Sequence, residues 1–281
     1  MKTGKIEEIR IEEIEEMETD TMSKLEKVFD TPNKKAFIGF LTAGDPDADS
    51  TVQFILEMEK AGADLIEIGI PFSDPTAEGV VIQEANIRSL SNGMTTDGVF
   101  EIVQRVREQS EIPLAFMTYV NPVFHYGYEK FFTKCEELGI SAIIIPDVPY
   151  EEKAEVEAPA QTHGVKVISM IAPTSESRIR QIASEAEGFI YVVSSMGVTG
   201  VRSEIKTDLP AIVESIRAVT DVPCAIGFGI STPEQAKAMA SISDGAIVGS
   251  TIVKIIAKYG KDAAPYIGEY VKSMKEAVAE A

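Results

Sequence analysis

Apolar positions along the chain fall into short runs separated by longer stretches with the period of a helix. Eight runs rich in β-branched and aromatic residues begin near Ala36, Leu65, Pro113, Ala142, Lys166, Phe189, Pro223 and Asp244. Their nearly continuous apolar character predicts strands of a parallel sheet that is buried on both faces. Between the first two runs, the segment TVQFILEMEKAG places Val52, Ile55 and Leu56 on one face of a predicted helix.

The number and order of these units predict a closed barrel. Several helical segments end in glycine, the residue that most readily takes the left-handed conformation at a helix terminus: Gly62, Gly139, Gly164 and Gly188. Eight strand–helix units favour a single (β/α)8 TIM barrel over an open doubly wound sheet. The open sheet also lacks support because no G-x-G-x-x-G follows the first run.

Residues 1–21 differ in composition from the rest of the chain. They contain eight acidic and three basic residues, which gives −5 of the total net charge of −19 and leaves −14 for the remainder. Ile6, Ile9, Ile14 and Met17 could form a weak apolar stripe, but a charged, loosely ordered extension is the simpler interpretation. We therefore expect an acidic N-terminal extension over 1–21 and a barrel domain over 22–281, with Met22 as an alternative start of translation.

The acidic balance restricts the partners of the chain. Nucleic acid binding requires clustered Lys and Arg to neutralise phosphates, and a net charge of −19 argues against it. An anionic substrate would be repelled by the long-range field, so its binding must come from a local site. No apolar run approaches the roughly 18 residues needed to span a bilayer, and the acidic N-terminus is unlike a signal peptide.

Cysteine and histidine offer little chemistry in this chain. Cys135 and Cys224 are too few for a disulfide framework or a zinc site, which predicts a reduced, cytoplasmic setting. His125 and His163 lack the spacing of a metal pair or of a nucleophile–base pair, so zinc and serine-hydrolase sites are not expected.

Glycines at the ends of the seventh and eighth runs predict a phosphate site. In (β/α)8 barrels the active site lies at the carboxyl ends of the strands, and phosphate often binds after the last two. The seventh run ends GFGIS with Gly229, and Gly249 and Ser250 precede a predicted helix whose N-terminus favours anions. Gly200, after the sixth run, could add another N–H donor. The alternative is that these glycines only form tight turns.

Two segments place carboxylates where a reaction could use them. Glu67 lies inside the apolar second run, LIEIGI, and burial would raise its pKa toward neutrality, where it can exchange a proton. The alternative is a structural, hydrogen-bonded glutamate. The next loop, PFSDPTAEG, carries Asp74 and Glu78, and its two prolines pre-set its shape.

The sixth run predicts a mobile cover for the site. It carries Tyr191 and continues into the loop SSMGVTGVRSE, where Gly197 and Gly200 could act as hinges of a lid. An ordinary surface loop is the alternative.

Seven segments together resemble one family. In order they read FIGFLTAGDP, IEIGIPFSDP, MTYVNPVFHYG, IIIPDVPYEE, SSMGVTGVR, IGFGIS and VGSTIVKII, and they are similar to the segments that mark the α-subunits of tryptophan synthase. The resemblance extends from about Met22 to the C-terminus. Several motifs in the same order are more specific than any single one.

The resemblance implies a retro-aldol lyase of tryptophan biosynthesis. The reaction is cleavage of indole-3-glycerol phosphate to indole and glyceraldehyde 3-phosphate, without a metal or organic cofactor. It also implies a β-subunit partner that holds pyridoxal phosphate, in an αββα assembly, and no nucleic acid or membrane partner. By position, the implied site residues are Glu67 and Glu78 as acid–base pair; Phe40, Tyr119, Asp147, Tyr191 and Thr199 around the substrate; and Gly200, Gly229, Gly249 and Ser250 at the phosphate.

The chain departs from the family pattern beside its second carboxylate. The family segment SDP-x-A-D-G-P reads SDPTAEGVV here, so Glu78 replaces an aspartate and Val80 replaces a proline, and Ser195 replaces an arginine common in the lid. One additional methylene displaces a carboxylate, and a misplacement of about 1 Å can cost on the order of a hundredfold in rate.

Three functions therefore remain open from the sequence. The first is an active lyase that uses Glu67 and Glu78. The second is a weakly active or inactive barrel that binds ligand and regulates a β-subunit. The third is another phosphate-binding barrel enzyme with a changed substrate. Retention of Glu67 and of the phosphate positions favours the first.

Overall fold

A computed structural model describes residues 23–31, 34–194, 208–227 and 229–281. The predicted extension over 1–21 lies outside the described residues, as do Ser195, Gly197, Thr199 and Gly200 of the predicted lid. Within the described part of the chain, no helix combines the length and the apolar character required to cross a membrane.

Strands and helices alternate along the chain. The strands are β1 Ala36–Thr42, β2 Leu65–Gly69, β3 Leu114–Met117, β4 Ala142–Ile144, β5 Lys166–Val167, β6 Ser169–Ile171, β7 Ile190–Val193, β8 Cys224–Gly227 and β9 Gly245–Val248. The described α-helices are α1 Lys24–Lys27, α2 Ala48–Lys60, α3 Val80–Ser91, α4 Thr96–Arg107, α5 Val120–Tyr126, α6 Tyr128–Glu137, α7 Ala154–Thr162, α8 Glu176–Ser184, α9 Leu209–Arg217, α10 Pro233–Ile242, α11 Ser250–Tyr259 and α12 Ala264–Ala279.

All strand pairs are parallel, and they form a barrel. The order of the strands is β5-β4-β3-β2-β1-β9-β8-β7-β6, so the two ends of the sheet are consecutive in the chain and are joined at Ile168. This confirms the predicted (β/α)8 barrel. The fifth apolar run forms two strands instead of one, because its first part pairs with β4 and its second part pairs with β7.

Side chains alternate between the inside and the outside of the barrel, as the pleat of a strand requires. Ile38, Leu65, Ala115 and Ile144 belong to a cluster inside the barrel. A larger cluster, to which Phe37 and Ile66 belong, packs between the strands and the helices. Burial on both sides explains why the strands appear in the sequence as continuous apolar runs.

Helix boundaries follow from side-chain caps and glycines. Asp47 and Thr95 accept hydrogen bonds from backbone N–H groups in the first turns of α2 and α4. Gly62, Gly139 and Gly164 take positive φ directly after the C-caps of α2, α6 and α7, as predicted. The prediction for Gly188 is wrong in one respect: it has positive φ, but α8 ends earlier, at Ser184.

Candidate active site

A cavity opens at the carboxyl ends of the strands, where barrels of this type hold their active sites. Its space, counted together with the open mouth, is about 620 Å³. Seven residues that were predicted from the sequence line it: Phe40, Glu67, Glu78, Tyr191, Gly229, Gly249 and Ser250. The lining also contains mainly apolar side chains that the sequence did not single out: Ala77, Ile82, Met117, Ile230 and Ile247.

Glu67 lies in the middle of β2 and projects into this cavity. Its register places it beside Phe40 of β1 and Ala115 of β3, and it is 1% exposed. Burial among apolar groups raises its pKa to about 8, because the ionised form loses its hydration. Among the described residues, no group forms a hydrogen bond with Glu67 Oε1. A carboxyl group that is protonated at neutral pH and has one oxygen without a hydrogen bond is suited to donate a proton to a bound molecule.

Glu78 lies near the end of the proline-containing loop, next to Gly79, the N-cap of α3. Asn86 Nδ2 donates a hydrogen bond to Glu78 Oε2 at 2.7 Å, and the hydroxyl of Tyr119 donates another to the same carboxylate. Burial raises the pKa of Glu78 to about 7, and these two hydrogen bonds oppose that rise. Glu78 therefore loses its proton at a lower pH than Glu67, and the two carboxyl groups can occupy opposite protonation states near neutral pH.

Two aromatic side chains shape the cavity, and glycines make room for them. A methyl group on Gly69 would lie 2.8 Å from the ring of Phe40, and one on Gly249 would lie 3.0 Å from it. A methyl group on Gly227 would lie 2.4 Å from the hydroxyl of Tyr191. Burial and the nearby carboxylate of Glu67 raise the pKa of Tyr191, so its hydroxyl remains protonated.

The wall of the cavity next to the start of α11 contains glycine backbone. Gly229 has a φ of 78°, a conformation that favours glycine. Gly249 is the N-cap of α11, and Ser250 and Thr251 of its first turn line the cavity. Within the described residues, no side chain caps α11 at Gly249. The N–H groups of a helix N-terminus and the helix dipole favour anions in general, and no lysine or arginine is among the described lining residues.

Tyr119 and Asp147 lie next to the cavity. Tyr119 is buried, and its hydroxyl accepts a hydrogen bond from Ala77 N at 3.0 Å, which connects it to the loop that carries Glu78. Asp147 is exposed and does not line the cavity; its Oδ1 accepts a hydrogen bond from Val120 N at 3.0 Å. Asp74 is also exposed and is hydrogen-bonded to Ser73.

The two histidines lie away from the cavity, as expected. His163 contacts Glu136 and Glu129 on the helical surface, and His125 is exposed on α5. The described ranges contain no group of three or more His, Cys, Asp or Glu side chains with the geometry of a metal site.

Sequence reasoning missed Asn86 and the glycines beneath the rings. Asn86 is eight residues from Glu78, and nothing in the sequence of α3 distinguishes it from the other polar residues of that helix. Only the fold shows that Asn86 and Glu78 are in contact. Gly69 and Gly227 are the last residues of β2 and β8, and a glycine in a strand can indicate close approach of another group. The two glycines could have been noticed in the sequence, but they do not show that the neighbouring groups are the rings of Phe40 and Tyr191.

Comparison with known proteins places this architecture in one family. Residues 27–279 match the family described as "Tryptophan synthase alpha chain". The tryptophan synthase alpha chain of Lacticaseibacillus casei is 48% identical over 257 residues, which cover 92% of this chain and 96% of that protein. The protein of Lactiplantibacillus plantarum is 47% identical over 258 residues, or 92% of this chain and 97% of that protein.

Solved structures agree with the sequence relatives. The tryptophan synthase alpha chain of Legionella pneumophila superposes with a TM-score of 0.82 at 34% identity, over 92% of this chain and 98% of that one. A chain from a structure described as the tryptophan synthase a2b2 complex of Pyrococcus furiosus superposes with a TM-score of 0.78 at 33% identity, over 86% of this chain and 98% of that one. The fold, the extent of the match and the degree of identity show that this chain belongs to the tryptophan synthase alpha chain family.

Proposed function

We propose that this protein cleaves indole-3-glycerol phosphate to indole and glyceraldehyde 3-phosphate. Family membership supports the coarser part of this statement, a lyase that acts in tryptophan biosynthesis. The observation that carries the finer part is the pair of buried carboxyl groups, Glu67 and Glu78, in one cavity that is also lined by the N-terminus of α11.

Glu67 is the acid and base of the proposed reaction. In its protonated form it donates a proton to the ring carbon that bears the glycerol chain, which makes the adjacent ring an electron sink. As a carboxylate it then accepts the proton of the hydroxyl group on the neighbouring side-chain carbon. The C–C bond breaks, its electron pair restores the aromatic ring, and Glu67 regains its proton. The apolar surroundings of Glu67, with a pKa of about 8, keep it protonated at the start.

Glu78 stabilises the charge that the first proton transfer creates. Protonation of the ring carbon makes the ring cationic at its nitrogen, and an ionised carboxylate that accepts the N–H hydrogen bond lowers the energy of that intermediate. Asn86 and Tyr119 both donate to Glu78, which favours the ionised state that this role requires. The mainly apolar lining, which includes the rings of Phe40 and Tyr191, suits an indole ring.

The phosphate group binds at Gly229, Gly249 and Ser250. The first turn of α11 supplies N–H donors and a favourable dipole, and the glycines allow the phosphate oxygens close to the backbone. From the family resemblance we add Gly200 to the phosphate site and place Thr199 at the substrate; both lie outside the described residues. From the family resemblance, Tyr119 and Asp147 contact the substrate. Their hydrogen bonds with Ala77 N and Val120 N also hold neighbouring loops together.

The partner is a tryptophan synthase β-subunit that carries pyridoxal phosphate. This proposal rests on family membership and on the Pyrococcus furiosus relative, whose structure is described as an a2b2 complex. The expected assembly is αββα, in which indole passes from this chain to the β-subunit.

The proposal is tested by measuring indole release from indole-3-glycerol phosphate, with the full chain alone and with a tryptophan synthase β-subunit added. We expect stoichiometric indole and glyceraldehyde 3-phosphate, with faster turnover when the β-subunit is present. Binding of the phosphate ester without turnover under either condition would instead indicate a regulatory barrel. A complete lack of binding would mean that the substrate is wrong.

A further inference from the structure

Helix α3 is fastened to the loop between β1 and α2 by its C-terminal half. Arg88 donates two hydrogen bonds to the carboxylate of Asp45, Nε to Oδ1 at 2.8 Å and Nη2 to Oδ2 at 2.7 Å. Ser89 Oγ donates to Ala43 O at 2.6 Å, and Asn92 Nδ2 donates to Pro46 O at 2.7 Å. Helix and loop are thus joined at three residues within little more than one turn, and we call this group the α3 clamp.

The α3 clamp fixes the helix more firmly than a single contact would. Asp45 is 1% exposed, so removal of Arg88 would leave a buried carboxylate without its cation. The planar guanidinium and carboxylate match only in one relative orientation, which restrains rotation of the helix as well as its position. Neither Asp45 nor Arg88 lines the cavity, so neither has a direct role at the substrate.

Asn86 connects this fixed helix to Glu78. It lies two residues before Arg88, is 4% exposed, and donates to Glu78 Oε2 at 2.7 Å. Its short side chain has only two rotatable bonds, so the position of its amide is set largely by the helix. Gln83, also on α3, donates from Nε2 to the backbone carbonyl of Glu78 at 2.8 Å. Both ends of Glu78 are therefore held by α3.

We propose that Asn86 is the positioning residue for Glu78, that the α3 clamp holds Asn86 in place, and that Glu78 and Asn86 are matched to one another in length. This inference rests on the proposed function, in which Glu78 faces the reacting ring. It also accounts for two departures in this segment. The glutamate at position 78 reaches its partner on α3, and Gln83 holds the backbone of Glu78 two residues before Val80, the first residue of α3, which replaces a proline.

Length matching gives the inference a direct test. The change Glu78→Asp withdraws the carboxylate by one carbon–carbon bond, about 1.5 Å, which is enough to break a hydrogen bond of normal length. Asn86→Gln extends the amide by the same amount and crowds Glu78. In the double variant the combined length of the two side chains is restored, with the carboxylate closer to the loop.

The experiment measures kcat and KM for indole-3-glycerol phosphate in wild type, Glu78→Asp, Asn86→Gln and the double variant. We expect each single change to lower kcat at least tenfold with little change in KM, because the phosphate site is untouched. The double variant should be at least tenfold more active than the product of the two single effects predicts. Effects that simply multiply would overturn the matched pair.

The α3 clamp is tested separately with Arg88→Lys, which keeps the charge but loses the two-pronged geometry. We expect kcat to fall at least fivefold without a rise in KM. Ser91→Ala, an exposed change on the same helix, is the matched control and should leave both constants unchanged. If Arg88→Lys does not fold, Ser89→Ala is used instead. It removes one hydrogen bond of the α3 clamp and should also lower kcat. Unchanged kcat in a folded clamp variant would overturn this part.

A signal that does not depend on turnover separates this inference from the proposed function. In protein labelled with ¹³C at the glutamate carboxyl carbon, Asn86→Leu should shift the Glu78 resonance, whereas Ser91→Ala should not. An inactive wild type that shows this shift contradicts the proposed reaction but supports the positioning role. An active wild type whose Glu78 resonance is indifferent to Asn86→Leu contradicts the positioning role alone.

Discussion

At the scale of single residues, Glu67 is the most unusual feature of the molecule. A carboxyl group in the middle of an apolar strand is costly to ionise, and its pKa of about 8 measures that cost. The folded state keeps the proton over a range of pH in which the unfolded chain has already released it. The free energy of unfolding of the wild type should therefore fall as pH rises from about 4.5 to about 8. A variant without this carboxyl group should not show the Glu67 contribution to that fall.

Glu67→Gln should consequently stabilise the fold in a pH-dependent way. The glutamine has nearly the same shape and does not ionise, so its advantage over wild type should grow by at most about 1.4 kcal/mol per pH unit across this window. Urea unfolding of both proteins at about pH 5 and pH 8 measures the difference. An advantage that is equal at the two pH values would mean that Glu67 ionises normally.

Gly227 is the second residue whose role depends on its surroundings. Because a methyl group there would lie 2.4 Å from the Tyr191 hydroxyl, Gly227→Ala should force this ring into the cavity. We expect KM for indole-3-glycerol phosphate to rise at least tenfold while the protein remains folded. Gly98→Ala is the matched control. Its methyl group would lie 2.9 Å from the flexible side chain of Met94, and neither residue lines the cavity, so KM should not change.

At the scale of elements, the barrel is largely predictable and the site is only partly so. The strands are mostly apolar because both faces of the sheet are buried, so the runs that form them can be recognised in the sequence. The division at Ile168 is not visible, since it arises from pairing with different neighbours. Glu67 could be found because it interrupts an apolar run. Asn86 and Arg88 could not, because their importance comes from contacts with Glu78 and Asp45, which only the fold brings near.

A negative charge in the first turn of α11 tests the phosphate assignment, because it should stabilise the helix but weaken binding of the phosphate ester. Ser250→Asp adds a negative charge at a helix N-terminus, which should stabilise the helix slightly, by about 0.3–1 kcal/mol. The same charge should weaken binding of the phosphate ester about a hundredfold or more, because it occupies the anion site. Calorimetric binding and thermal unfolding measure the two effects. Ser177→Asp, in the exposed first turn of α8, adds the same charge elsewhere and should leave binding unchanged.

At the scale of the whole molecule, a net charge of −19 surrounds a site that is proposed to bind an anion. The dipole and N–H groups of α11 attract an anion over a few ångströms. Distant negative charges do not cancel this attraction, because salt screens their repulsion of the anion. The same cavity holds two carboxyl groups with separated pKa values, about 7 for Glu78 and about 8 for Glu67. The proposed reaction requires Glu78 ionised and Glu67 protonated.

The dependence of kcat/KM on pH should therefore be bell-shaped, with a narrow maximum between about 7 and 8. Activity falls on the acid side as Glu78 gains a proton, and on the alkaline side as Glu67 loses one. The two limbs belong to the coupled pair, so each variant shifts both to some extent. Asn86→Leu should move the acid limb to higher pH, since it removes a hydrogen bond that favours ionised Glu78. An acid limb that does not move would argue against Glu78 as its source.

The central claim is that Glu67 exchanges the proton in a cleavage reaction, and one comparison tests it most directly. Indole release from indole-3-glycerol phosphate is measured for wild type and Glu67→Gln, with binding of the same compound measured for both. Loss of this acid–base group should lower kcat by at least about a hundredfold, while the dissociation constant changes little, because the phosphate and ring contacts remain. Comparable turnover by the two proteins would contradict the account.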